Sequence, residues 1–148
     1  MSIMQKVFVH GYIWYKPTNM SYVNLQQVGA EHNEWLKGLD FYKDDLRVLV
    51  HRLEEVAASH DSADARNGME HFQNQFIIQR NNIDELTHKI REHVHQVSLD
   101  PGLETSQVQS ELLADHENLQ DEYRTLEKVI NELRKEFNTY LLQFKPQD

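Results

Sequence analysis

The chain has 148 residues, with 15 Lys and Arg against 24 Asp and Glu and a formal net charge of −9. That acidic balance, with no local Lys/Arg cluster, excludes nucleic acid or an anionic membrane as the main partner, because either needs a basic face. No cysteine is present, so disulfides, zinc fingers, iron–sulfur clusters and thiol catalysis are excluded as well.

Five Gly, three Pro and 39% hydrophobic residues describe a folded helical chain and not a disordered one. The length suits one domain. Missing cysteines and the lack of an apolar run of membrane-spanning length lead to the expectation of a soluble, cytoplasmic protein.

Residues 1–20 differ from the rest. The stretch Val7–Tyr15 (VFVHGYIWY) is aromatic and β-prone and breaks at Pro17. His10 and Gly11 interrupt it, and Lys16-Pro17-Thr18-Asn19 makes a poor cleavage region, so it does not read as a signal peptide. Two readings stay open. Met20 is the natural start and the stretch is an extension, or the stretch is a strand or arm that covers an apolar patch on the domain spanning residues 21–148.

From residue 21 onward the sequence is helical. A first helix is predicted from about Tyr22 to Ser59, with apolar or core positions running His32, Trp35, Leu39, Tyr42, Leu46, Leu49, Leu53 and Val56. The steps alternate three and four, the signature of a heptad seam. Ser59-His60-Asp61-Ser62 supplies turn and N-cap chemistry. A second helix is predicted from about Ala63 to Val97, with its seam at Met69, Phe72, Phe76, Gln79, Ile83, Leu86, Ile90, His93 and Val97. Asp100-Pro101-Gly102 then breaks the chain, and Thr105 or Asp100 can cap the next helix. The third helix is predicted from about Glu104 to Phe144, ahead of Pro146, along Leu112, His116, Leu119, Tyr123, Leu126, Ile130, Leu133, Phe137 and Tyr140. Three long helices with short linkers predict an all-α, up-down-up antiparallel bundle behind a short non-helical N-terminal arm. Completion to four helices by dimerisation is the structural alternative.

Folding the chain at Asp61 and Pro101 brings two polar layers to the core. Tyr42, Gln79 and Tyr123 fall at one height, where phenols can satisfy a buried amide and fix helix register. His32, His93 and His116 fall within roughly two helical turns, about 10 Å. The plain reading of these histidines is a hydrogen-bonded layer near an open end of the bundle. Imidazole is also the commonest protein metal ligand, and three from three helices suit zinc, iron or manganese, with Glu31, Glu92 and Asp115 flanking as orienting carboxylates. Core histidines that must stay neutral also make the bundle sensitive to acid.

His51 with Glu55, His88 with Glu92, and His116 with Asp121 have spacings that resemble fragments of the metal-ligand pattern of the hemerythrin family. The resemblance implies a metal centre drawn from four helices. His51, His88 and Asp121 each lie two residues past a seam position, about 200° away from the core, and only three helices are visible, so the assignment is set aside.

No nucleophile triad, phosphate-binding glycine loop or nucleotide fingerprint occurs. Phe41 and Val48 lie outside the first seam, and Ile77 and Ile78 outside the second. Either they form one apolar patch for a partner or the seam is simply wide. The expected function is a non-enzymatic interaction or scaffold module that self-associates or takes a protein partner, with no cofactor. The alternative is a metal- or small-ligand-binding bundle that uses His32, His93 and His116.

Overall fold

The computed structural model describes residues 5–9, 12–16, 21–99 and 106–145. Gln5–Val9 (β1) and Tyr12–Lys16 (β2) pair antiparallel, with Gln5 opposite Lys16 and Val9 opposite Tyr12. The β-branched and aromatic residues there favour extended backbone. The rest of the described chain is helix, apart from the connection at 60–62 and the end at 144–145. The helices are Ser21–Ser59 (α1), Ala63–Leu99 (α2) and Ser106–Gln143 (α3). The expected turn at Asp100-Pro101-Gly102, the Thr105 cap and the stop at Pro146 lie outside the described residues.

The α1–α2 connection is tight because each end finds partners for its backbone. The His60 amide donates to the Val56 carbonyl at 3.0 Å. Ser62 caps α2, its Oγ accepting from the Ala65 amide at 3.2 Å, which satisfies a donor the helix start would otherwise leave unpaired.

Cross-helix pairs fix the direction of each helix. Lys43 meets Asp84 at 2.7 Å, and His32 meets His93, so α2 runs opposite to α1. Tyr42 meets Glu127 and Asp45 meets Arg134, so α3 runs alongside α1. Lys89 meets Glu122 at 3.0 Å, and Tyr140 meets Ala65, so α3 runs opposite to α2. The result is the expected up-down-up bundle.

The three-four seams form its interior. Leu39, Val56, Phe76, Ile83, Ile90, Ile130 and Phe137 are essentially fully buried, and burial of such side chains contributes about 1.5–3 kcal/mol each. At the α1–α2 turn the core is aromatic. Phe72, Phe76, Phe137 and Tyr140 meet at centroid distances between 5.2 and 6.1 Å. The Tyr140 hydroxyl donates to the Ala65 carbonyl at 2.7 Å, and Gly68 makes room for it, since a Cβ there would overlap the phenol ring. The histidines occupy the other end of the bundle, and the tyrosine layer lies between.

Candidate metal centre

His32 on α1, His93 on α2 and His116 on α3 each take a seam position, and heptad stepping turns all three into the same cross-section. They are buried, at 3%, 4% and 5% exposure. His32 Nε2 lies 2.9 Å from His93 Nδ1 and 3.2 Å from His116 Nδ1. One nitrogen from each ring falls within 4.8 Å of the others. The cluster is tighter than the two helical turns estimated from sequence.

The outer nitrogens set the chemistry of the inner ones. His93 Nε2 is 2.9 Å from the Leu112 carbonyl oxygen, which only accepts, so that nitrogen carries the proton. His116 Nε2 is 2.6 Å from Glu31 Oε2, and the carboxylate likewise takes the N–H. In neutral rings both Nδ1 atoms are therefore bare lone pairs aimed at His32. A neutral His32 has one hydrogen on Nε2 to share between two acceptors. Glu31 is itself buried at 8% exposure, and its other oxygen accepts from the Gln27 amide at 3.1 Å. A buried carboxylate behind an imidazole, with a backbone carbonyl behind a second, is how metal-ligating histidines are oriented. Glu92 and Asp115, the other two flanking carboxylates, are exposed.

Apolar residues close the cluster along the core. Trp35 packs against His116 at 4.7 Å and against His32 at 5.4 Å between centroids, and Ile90 and Leu119 are buried one step along their seams. Val28, Val97 and Leu112 occupy the next seam positions on the opposite side and are half-buried. A surface groove of about 230 Å3 between α2 and α3 reaches His93 and is lined by Glu92, Gln96, Asp115 and Asn118.

Burial in this setting, and then the neighbouring His116 and His93, lower the His32 pKa from 6.5 to about 4. The His116 pKa is also lowered, by burial first, with Glu31 pulling the other way. Both rings are held neutral near pH 7, the state that ligates metal.

The second layer is satisfied differently. Tyr42 and Gln79 are buried and Tyr123 is half-buried. The Tyr42 hydroxyl donates to Glu127 Oε2 at 2.8 Å, and the Gln79 amide oxygen accepts from Asn82 at 3.3 Å. Burial, followed by Glu127, raises the Tyr42 and Tyr123 pKa values to about 12. Sequence reasoning missed Glu127, which stands one residue past Leu126 on the α1-facing flank. It also missed Gln120, buried at 7% exposure one residue past Leu119. Flank residues of this kind carry no seam signal.

His51 pairs with Glu55 at 3.2 Å and His88 with Glu92 at 3.1 Å, all four well exposed and each pair within one helix. Asp121 is exposed too. Two of the three hemerythrin-like spacings are surface helix pairs, and the third is split between buried His116 and exposed Asp121.

Phe41, Val48, Ile77 and Ile78 are 60%, 50%, 43% and 46% exposed. Lys43 marks the α2-facing flank of α1 and Asp45 its α3-facing flank. At about 100° per residue, Phe41 and Val48 lie about 40° and 60° from Asp45 and lean towards α3. Ile77 lies about 20° from Asp84 and leans towards α1, and Ile78 is turned about 120° from it.

Among the described residues, no helix is long and apolar enough to cross a membrane. The chain matches no known protein family, and comparison with curated proteins and with solved structures finds no match either.

Proposed function

We propose that this helical bundle binds a transition metal ion through His32 Nε2, His93 Nδ1 and His116 Nδ1, with Glu31 and the Leu112 carbonyl orienting two of the rings. One observation carries the reading. Two lone pairs with fixed tautomers point at a third ring that has a single hydrogen for both. With the His32 hydrogen shifted from Nε2 to Nδ1, a cation in the middle satisfies all three nitrogens at once, whereas the metal-free layer leaves one acceptor with a poor bond.

The dimensions support it. A metal–nitrogen bond of about 2.0–2.1 Å places tetrahedral ligand nitrogens roughly 3.3 Å apart. Two of the separations are 2.9 and 3.2 Å, close to that spacing, and one nitrogen from each ring lies within 4.8 Å of the other two. An all-imidazole set suits zinc, copper, iron or nickel, while manganese prefers oxygen ligands. The α2–α3 groove beside His93 offers the ion a way in, past Glu92 and Asp115.

Elemental analysis of untagged protein, purified without chelators and again after incubation with zinc, iron, manganese and copper salts, tests the reading. Near-stoichiometric metal that survives gel filtration is the expected result. Protein that stays metal-free after every incubation overturns it.

A scaffold role is the second reading, and the exposure of Phe41 and Val48 on one flank of α1 favours it. Its test is mass in solution by analytical ultracentrifugation. A species heavier than 17.6 kDa that reverts to monomer in a Phe41→Ser variant supports self-association, and a strict monomer removes it.

A further inference from the structure

The bundle is tied at its two ends by different means, and the metal reading just proposed acts on one of them. We infer that the ion is a clamp: it shuts the histidine end, which in the metal-free chain opens locally while the aromatic end stays closed. The inference rests on that reading, because the clamp is the bound ion.

At the aromatic end the chain closes itself. Val56, Ala65, Phe76 and Phe137 are at most 2% exposed, and Phe72 and Tyr140 pack against Phe137. The Ser62 cap and the His60 amide bond hold the α1–α2 turn. His60 also reaches across to the end of α3, its Nε2 lying 2.6 Å from the Lys145 carbonyl oxygen, so all three helices are joined there.

The other end has imidazoles where the seams elsewhere carry Leu, Ile and Phe. The bonds of His93 to Leu112 and of His116 to Glu31 tie α3 to α2 and to α1. The contacts of His32 with His93 and His116 leave one acceptor poorly bonded. Beyond the cluster Val28, Val97 and Leu112 are only half-buried, and Val94 beside His93 is 38% exposed. Few fully buried apolar side chains and an incomplete hydrogen-bond layer mark a segment that opens at less cost than the whole fold.

A metal changes that balance at this end. Each ligand comes from a different helix, so an opening that separates the helices at this level releases the ion. Binding therefore suppresses such openings by a factor of one plus the ratio of free ion to Kd, about a hundredfold when the ion is at about 100 times Kd. Fraying confined to the aromatic end keeps the ligands together and is untouched.

Hydrogen exchange read by mass spectrometry on the full-length chain tests the clamp. The metal-free protein is compared with protein saturated with zinc, or with copper where zinc is not retained. Amides in segments 28–36, 90–97 and 112–119 are set against those in 49–56, 65–76 and 133–140. In the metal-free chain the first set is expected to exchange roughly tenfold faster or more, and metal is expected to slow it by roughly tenfold or more. Equal exchange at the two ends of the metal-free chain overturns the inference, as does a first set that metal fails to slow. Metal content measured on the same samples separates the two failures. Either of those results with stoichiometric metal removes the clamp and leaves the metal site standing. A chain that retains no metal removes both.

Discussion

His32, His93 and His116 near one end of the bundle, and Tyr42, Gln79 and Tyr123 nearer its middle, put polar groups on the same three seams and resolve them in opposite ways. The phenols bring their own protons, and Tyr42 spends its proton on Glu127. Gln79 finds Asn82. That layer is complete within the chain. The imidazoles spend their outer protons on Leu112 and Glu31, and their inner nitrogens then face one another with too few hydrogens. Both layers are polar and buried. Only the second has a deficit that a cation removes, so the match of donors to acceptors, and not burial, separates a register layer from a ligand site.

The largest expected effect breaks the comparison at the metal. His93→Ala removes one of three ligands and lowers metal affinity roughly a thousandfold or more, whereas Tyr42→Phe leaves it within about twofold, since Tyr42 bonds to Glu127 and the histidines to Leu112 and Glu31. Isothermal titration on both variants, with helix content checked by circular dichroism, reads the difference. Equal losses would mean that the layers are one coupled unit.

Next in size is a pair of pH limits in the metal-free protein. The folded His32 pKa of about 4 lies below its unfolded value of 6.5. The unfolded chain takes up the proton first, so this stability is full above pH 6.5 and is lost as pH falls towards 4, by about 3 kcal/mol at most. His116 is lowered too and acts in the same direction. Tyr42 and Tyr123 have the opposite sign. Their folded pKa values of about 12 lie above 10, so their contribution is full below pH 10 and is lost as pH rises towards 12. Urea midpoints measured from pH 4 to pH 11 should therefore fall at both ends, and His32→Gln should flatten only the acid limb. An acid limb that persists unchanged in that variant places the sensitivity elsewhere.

The seams made the architecture legible. Alternating three-four steps identified Leu46, Phe76 and Ile130 as interior and placed His32, His93 and His116 on the core faces of three helices, because side-chain direction follows from helix geometry alone. Glu31 was visible as a flanking carboxylate for the same reason. Its burial was not, because a seam defines a face but not which neighbour each flank meets. The hand of the bundle decides that, and pairs such as Lys43 with Asp84 and Asp45 with Arg134 reveal it. Glu127 was hidden by the same ambiguity, so the phenols were expected to meet Gln79. Tautomers were out of reach of sequence altogether, since they depend on which acceptor stands behind each ring. Gly38 and Gly68 carried no signal either. In a helix interior a glycine only looks like a weak point.

Gly38 sharpens the comparison from the tyrosine side. Replacing a helical Gly with Ala ordinarily gains about 1 kcal/mol. At Gly38 the new Cβ would overlap the Tyr123 hydroxyl, so Gly38→Ala should instead cost about 1–2 kcal/mol, as overpacking does. Adding Tyr123→Phe removes the overlapping oxygen and should return part of that loss. A stabilised Gly38→Ala would mean that the phenol moves aside freely and the layer is loose. The smallest expected effect is Tyr42→Phe itself, which deletes one hydrogen bond to Glu127. The loss should be about 1 kcal/mol in thermal or urea unfolding. Glu127 is only half-buried, so water can replace the lost donor and keep the cost near that value. A loss several times larger would show that the carboxylate is left stranded in the core. The tyrosine layer would then share the fragility that a missing ligand gives the histidine layer.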